Sequence, residues 1–89
     1  MLTQEVSRVR NPSERILANS EETFPLSQKR RIGTNKSYWT LRDYCRIGAL
    51  IGERRIILEH VRAGTRFETS REAYKRFIAA CTIGDYDDA

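Results

Sequence analysis

The clearest hydrophobic spacing in this chain lies between residues 34 and 48. Drawn at about 100° per residue, Tyr38, Leu41, Tyr44, Cys45 and Gly48 fall on one side of a helix, and Asn35, Trp39, Arg42, Asp43 and Arg46 fall on the other. The pattern predicts a helix that begins near Thr34 or Asn35 and ends before Gly48, a residue suited to the left-handed position just past a helix end. Its polar side is unusual, because a tryptophan with two arginines at one-turn spacing is an odd way to furnish a merely solvated face.

The preceding chain is less regular. Residues 1 to 10 show no sustained period and are expected to be mobile. Asn11-Pro12-Ser13-Glu14 offers a helix cap, a proline for the first helical position and a glutamate three residues after the cap. A short helix over 12–18 follows from it, anchored by Ile16 and Leu17. Ser20 to Thr23 reads as a connector, so residues 1–23 are expected to form a flexible segment ahead of the domain. Phe24 to Gly33 holds a second short helix, with Ser27 as its cap and Gly33 as its stop. Leu26 and Ile32 would face inward, leaving Lys29, Arg30 and Arg31 in solvent.

Beyond Gly48, the β-branched run from Arg55 to Val61 reads as a strand. Its two parities compete, with Ile56 and Leu58 on one face and Ile57 and Val61 on the other. A bulge near Glu59 or His60 would reconcile them. Gly64 then supplies a positive φ at a hairpin tip, and Thr65 to Glu68 returns. Thr69-Ser70-Arg71-Glu72 has the form of a capping box, Thr69 taking the amide of Glu72. The helix it starts places Ala73, Tyr74, Phe77, Ile78 and Cys81 at helical spacing, so it should dock on the core.

Composition narrows the possibilities. At 89 residues the chain holds one domain, and its 16 Lys and Arg against 12 Asp and Glu give a formal charge of +4. Residues 83–89 form an acidic tail, which leaves a more basic body over 24–82. No apolar run approaches the roughly 20 residues needed to span a bilayer, and MLTQEVSRVRNP lacks the apolar centre of a signal peptide. A cytoplasmic location without a membrane partner is therefore expected. Cys45 and Cys81 lack metal-type spacing and read as reduced, small core residues. His60 stands without a cysteine or carboxylate pattern, and Glu59 beside it points to the other face of a regular strand. No nucleophile with its base, phosphate-binding glycine loop or metal quartet stands out, so neither an enzyme nor a cofactor or metal is expected.

Three motifs carry a resemblance: Thr40-Leu41 with Tyr44 and Gly48, then Gly64-Thr65-Arg66-Phe67, then Thr69-Ser70-Arg71-Glu72-Ala73. With helix, tight connection, helix, hairpin and helix in that order, the chain resembles excisionase-like (AlpA-type) domains related to the DNA-binding part of MerR-like regulators. It resembles more closely an uncharacterised bacterial family of small proteins within that group. The resemblance spans about Phe24 to Ala80 and is most specific from Leu58 onward. It implies an α+β, mainly α fold: a small winged helix-turn-helix with a β-hairpin wing followed by a C-terminal helix. Asp43 departs from the basic residue usual at its position, and Thr65 replaces a second glycine.

The function implied is that of a DNA-binding protein of excisionase or transcription-regulator type. Its second helix would lie in the major groove of double-stranded DNA and its wing on the backbone or minor groove. Arg42 or Arg46 would meet guanine, Asn35 and Lys36 phosphate or base, and Arg62 and Arg66 the backbone or minor groove. Lys29, Arg30 and Arg31 would add phosphate contacts, which hold register without reading sequence. Trp39 divides between a contact to DNA or a partner and a packed ring under the N-terminal helix or against the arginines. Asp43 would repel phosphate, so a protein-interaction module with little DNA affinity is the alternative. Partners besides DNA would be a second copy or a recombinase or regulatory protein.

Overall fold

In the computed structural model, which describes residues 11–88 and their side chains to residue 82, the Asn11 side chain organises the first turn. Its Oδ1 accepts from the Ser13 amide at 3.0 Å and from the Ser13 hydroxyl at 2.8 Å, while the Glu14 amide donates to the Asn11 carbonyl. Helix α1, Glu14–Ala18, follows. It buries Ile16 but leaves Leu17 67% exposed, so one of the two expected anchors holds it. The His60 amide donates to the Pro12 carbonyl at 3.1 Å. The packed structure therefore begins well before residue 24, against the expectation of a flexible segment to residue 23. The mobility expected for residues 1–10 lies outside the described residues.

Strand β1, Thr23–Pro25, is an element the sequence pattern did not suggest, and in it Phe24 pairs in a sheet ahead of the short helix. The helix is confined to α2, Lys29–Ile32, with Gln28 at its cap position and no side-chain cap from Ser27. Gly33 closes it at φ 95°, and Leu26 and Ile32 are fully buried as their spacing requires.

Helix α3, Tyr38–Arg46, starts later than its wheel suggests. Ser37 is its cap, the hydroxyl accepting from the Thr40 amide at 3.2 Å. Asn35 and Lys36 consequently lie in the connection before the helix. Leu41 and Cys45 are buried and Tyr44 half-buried, whereas Tyr38, assigned to the same side, is 38% exposed. Gly48 follows at φ 92°, where an added Cβ would stand 2.7 Å from the Ile56 carbonyl oxygen.

That close approach comes from a hairpin that the expected strand conceals. Strands β2, Ala49–Ile51, and β3, Arg54–Ile56, pair antiparallel. The chain then leaves the strand at Ile56. Leu58 enters the core, and its amide donates to the Tyr44 carbonyl at 3.0 Å. Ending the strand, rather than a bulge, resolves the competing parities: Ile56 packs against the core and Ile57 is 39% exposed.

Strands β4, Val61–Ala63, and β5, Arg66–Ser70, form the expected tip hairpin, turning at Gly64 with φ 69°. The sheet order is β1-β5-β4, so β5 is the middle strand. Helix α4, Arg71–Asp88, begins one residue later than the capping box implied. Ser70, not Thr69, accepts from the Ala73 amide at 2.8 Å, while the Thr69 hydroxyl donates to the Glu59 carbonyl at 2.7 Å. The acidic stretch from residue 83 continues this helix backbone to Asp88.

Ala73, Tyr74 and Phe77 of α4 are buried, and Ile78 is 41% exposed, one residue outside the docked face. Leu26, Ile32, Leu41, Cys45, Leu58, Tyr74 and Phe77 form the core, with Cys81 half-buried against it. Burying each large apolar side chain stabilises by about 1.5–3 kcal/mol. The result is an α+β fold of four helices and two antiparallel sheets among the described residues.

Candidate nucleic-acid interface

The cap at Ser37 fixes which way α3 presents its first turn. Trp39 is 68% exposed, and its ring and that of Tyr38 meet in a T-shaped arrangement at a centroid distance of 5.0 Å. One turn on, the half-buried Arg42 holds its guanidinium 5.9 Å from the centre of the Trp39 ring. Trp39 is therefore not covered by α1, and its packed neighbours are a tyrosine and an arginine on its own helix. Arg46 and Asp43 are exposed along the same element.

Lys29, Arg30 and Arg31 are exposed on α2. Arg31 is the most constrained of the three, with its guanidinium 5.7 Å from the centre of the Phe24 ring and its carbonyl accepting from Arg71 Nε at 3.2 Å. Asn35 and Lys36 are exposed in the connection to α3, and the Thr34 hydroxyl ties that connection to α4 by donating to the Tyr74 hydroxyl at 2.9 Å.

On the tip hairpin, Arg62 and Arg66 are exposed. The Arg62 guanidinium lies 5.4 Å from the centre of the Phe67 ring. Arg66 stands 3.7 Å from Glu68, with its side chain 62% exposed. A solvated pair of that kind contributes about 0–1 kcal/mol and leaves the guanidinium available.

Strand register relates these groups. Phe24 pairs with Thr69, Arg62 pairs with Phe67, and Phe67 and Thr69 are two residues apart on β5. Opposed residues and residues two apart share a face, so Phe24, Phe67 and Arg62 lie on one face of the sheet.

Two exposed arginines near α3 escaped the sequence reading. Arg54 and Arg55 belong to β3, and Arg55 Nη1 donates to the Ile47 carbonyl at 3.1 Å, closing the end of α3. The Gly52-Glu53 pair before them is the turn signal that could have revealed this hairpin. His60 is buried, its Nδ1 lies 2.7 Å from the Leu58 carbonyl, and its ring meets that of Phe67 in a T-shaped contact. Burial pushes the Cys45 thiol up to about 12, which keeps it protonated and unreactive at neutral pH.

Among the described residues no helix is long and apolar enough to cross a membrane. No protein-family model matches this chain, and neither a curated protein nor a solved structure matches it.

Proposed function

We propose that this chain binds duplex DNA as a small winged helix-turn-helix module of the regulator or excisionase type. One arrangement carries the reading. On each of α2, α3 and the tip hairpin, one arginine is held over an aromatic ring: Arg31 over Phe24, Arg42 over Trp39 and Arg62 over Phe67. A stacked guanidinium has less rotamer freedom to lose on binding, and its planar fork matches paired oxygen or nitrogen acceptors. Three such groups on the three basic elements suit a ligand that presents repeated anionic and bidentate acceptors.

On this reading α2 and α3 are the helix pair and the β4–β5 hairpin is the wing. Arg42 and Arg46 face guanine, Asn35 and Lys36 approach phosphate or base, and Lys29, Arg30 and Arg31 hold the backbone. Arg62 and Arg66 grip the backbone or minor groove. Asp43 is repelled by phosphate, but inside the major groove its carboxylate can accept from a cytosine amino group. A module of this size buries about 600–1,000 Å² of its own surface on DNA, so useful specificity calls for a second copy or a recombinase or regulatory partner. The role is non-enzymatic, without a cofactor.

Titration of a generic duplex at several salt concentrations tests the reading. If about four phosphates are neutralised, log K should fall against log salt with a slope of about −3.6. Absence of binding to any duplex at low salt would favour a protein-interaction module instead. That second reading draws on the exposure of Trp39, Ile47 and Leu50, at 68%, 50% and 62%.

A further inference from the structure

The pair formed by Trp39 and Arg42 has a chemistry narrower than general DNA contact. Trp39 offers an exposed apolar indole, steadied by a T-shaped contact with Tyr38 at 5.0 Å between ring centres. Arg42, one turn along, offers a guanidinium whose position is set by that same indole at 5.9 Å. A ligand that satisfies both presents an apolar group beside a pair of acceptors suited to a fork. In the major groove the only apolar group on a base edge is the C5-methyl of a pyrimidine, and the best fork partner is guanine through O6 and N7. The 5.9 Å separation falls between one and two base steps of about 3.4 Å each.

We infer that Trp39 and Arg42 together read a C5-methylated pyrimidine beside a guanine, Trp39 covering the methyl and Arg42 binding the purine. The inference rests on the DNA-binding reading above. The methyl has two sources, thymine and 5-methylcytosine, and the indole meets the same group in both. The stacked pair acts as a unit: a methyl pressed on the indole leaves the guanidinium in place over its guanine, whereas a bare pyrimidine leaves a gap against the ring.

Four short duplexes with identical flanks test this, differing only at a central step that is thymine–guanine, uracil–guanine, 5-methylcytosine–guanine or cytosine–guanine. Fluorescence anisotropy at low salt should show the methyl-bearing member of each pair binding about fourfold tighter, the gain expected for one buried methyl-sized group. A preference within one pair only also supports the inference and names the source of the methyl. In Trp39→Ala the preference should vanish while all four duplexes still bind, and a thermal melt matching the parent shows that the variant is folded. Replacing the central guanine by 7-deazaguanine, which lacks the N7 acceptor, should weaken the parent but not Arg42→Ala. Equal affinities within both pairs for the parent, or a methyl preference that survives in Trp39→Ala, overturns the inference while DNA binding stands. No binding of any duplex overturns both.

Discussion

Arg76 and Glu21, 55 residues apart in sequence, meet through two hydrogen bonds, from Nη1 at 2.7 Å and from Nη2 at 3.1 Å. Arg76 Nε also donates to Glu59 at 2.9 Å, and Ser70, the cap of α4, donates its hydroxyl to Glu21 at 2.7 Å. One guanidinium thus joins the segment before β1, the loop before β4 and the last helix. The Glu21 side chain is only 6% exposed, and Arg76, Ser70 and Asn19 all donate to its carboxylate.

This cluster makes stability depend on acid in a defined window. The hydrogen bonds from Arg76 hold the Glu21 carboxyl down at about 2, against an ordinary value of 4.5. A lowered folded-state value stabilises above the unfolded value and is lost as pH falls toward the folded one. Melting temperature should therefore decline between about pH 4.5 and pH 2 through this group. Glu21→Gln should cost about 1.5–3 kcal/mol at neutral pH and flatten that decline. Thermal melts of both proteins across the window check it.

The two glycines at φ 92° and φ 69° should respond differently to alanine. Gly64 has nothing within 4 Å of an added Cβ, so Gly64→Ala meets only the left-handed backbone penalty of about 1–2 kcal/mol. At Gly48 the same methyl would also press on the Ile56 carbonyl at 2.7 Å and on Ile57 Cδ1 at 2.8 Å. Urea unfolding should rank Gly48→Ala as clearly the less stable variant.

Trp39→Ala should leave the fold standing, with a stability change of no more than about 0.5 kcal/mol, because the ring is mostly in solvent. A loss of about 3–5 kcal/mol in thermal melts would mean that the ring is covered in solution and is not a contact residue.

Arg42→Ala and Arg62→Ala should separate base reading from backbone grip. The first should cost about 1–3 kcal/mol on a preferred duplex and relax discrimination there. The second should weaken all sequences alike and reduce the salt slope by about 1. Paired titrations on a selected and a random duplex check both, and equal losses on both duplexes for Arg42→Ala would reduce it to a phosphate contact.

What the sequence made legible were features decided locally. Gly33, Gly48 and Gly64 take positive φ where helix stops and a hairpin tip were expected, and Leu41 and Cys45 face inward as their spacing requires. Some misses were local, the Gly52-Glu53 turn between β2 and β3 and the Ser37 cap of α3, and the others come from pairing with residues far along the chain. Thr23–Pro25 has no strand signature of its own and becomes a strand through β5, with Phe24 opposite Thr69. Thr69 and Ser70 are equally able to cap α4, and the Glu59 carbonyl decides between them by engaging Thr69. The basic residues of the candidate interface could be named from the sequence, but the aromatic partner beneath Arg31 depends on β1, which only its pairing with β5 reveals.

The middle position of β5 has a mechanical consequence. A hairpin that projected alone could swing to follow whatever surface it met. Here β1, which leads toward α2, is hydrogen-bonded to the same strand that β4 is, so Phe24 and Phe67, on which Arg31 and Arg62 stack, are carried by one sheet. On the DNA-binding reading, the protein is then a caliper and not a clasp. Adjustment falls to the duplex, and sequences whose grooves already have the right width, or deform to it cheaply, are selected at positions no side chain touches.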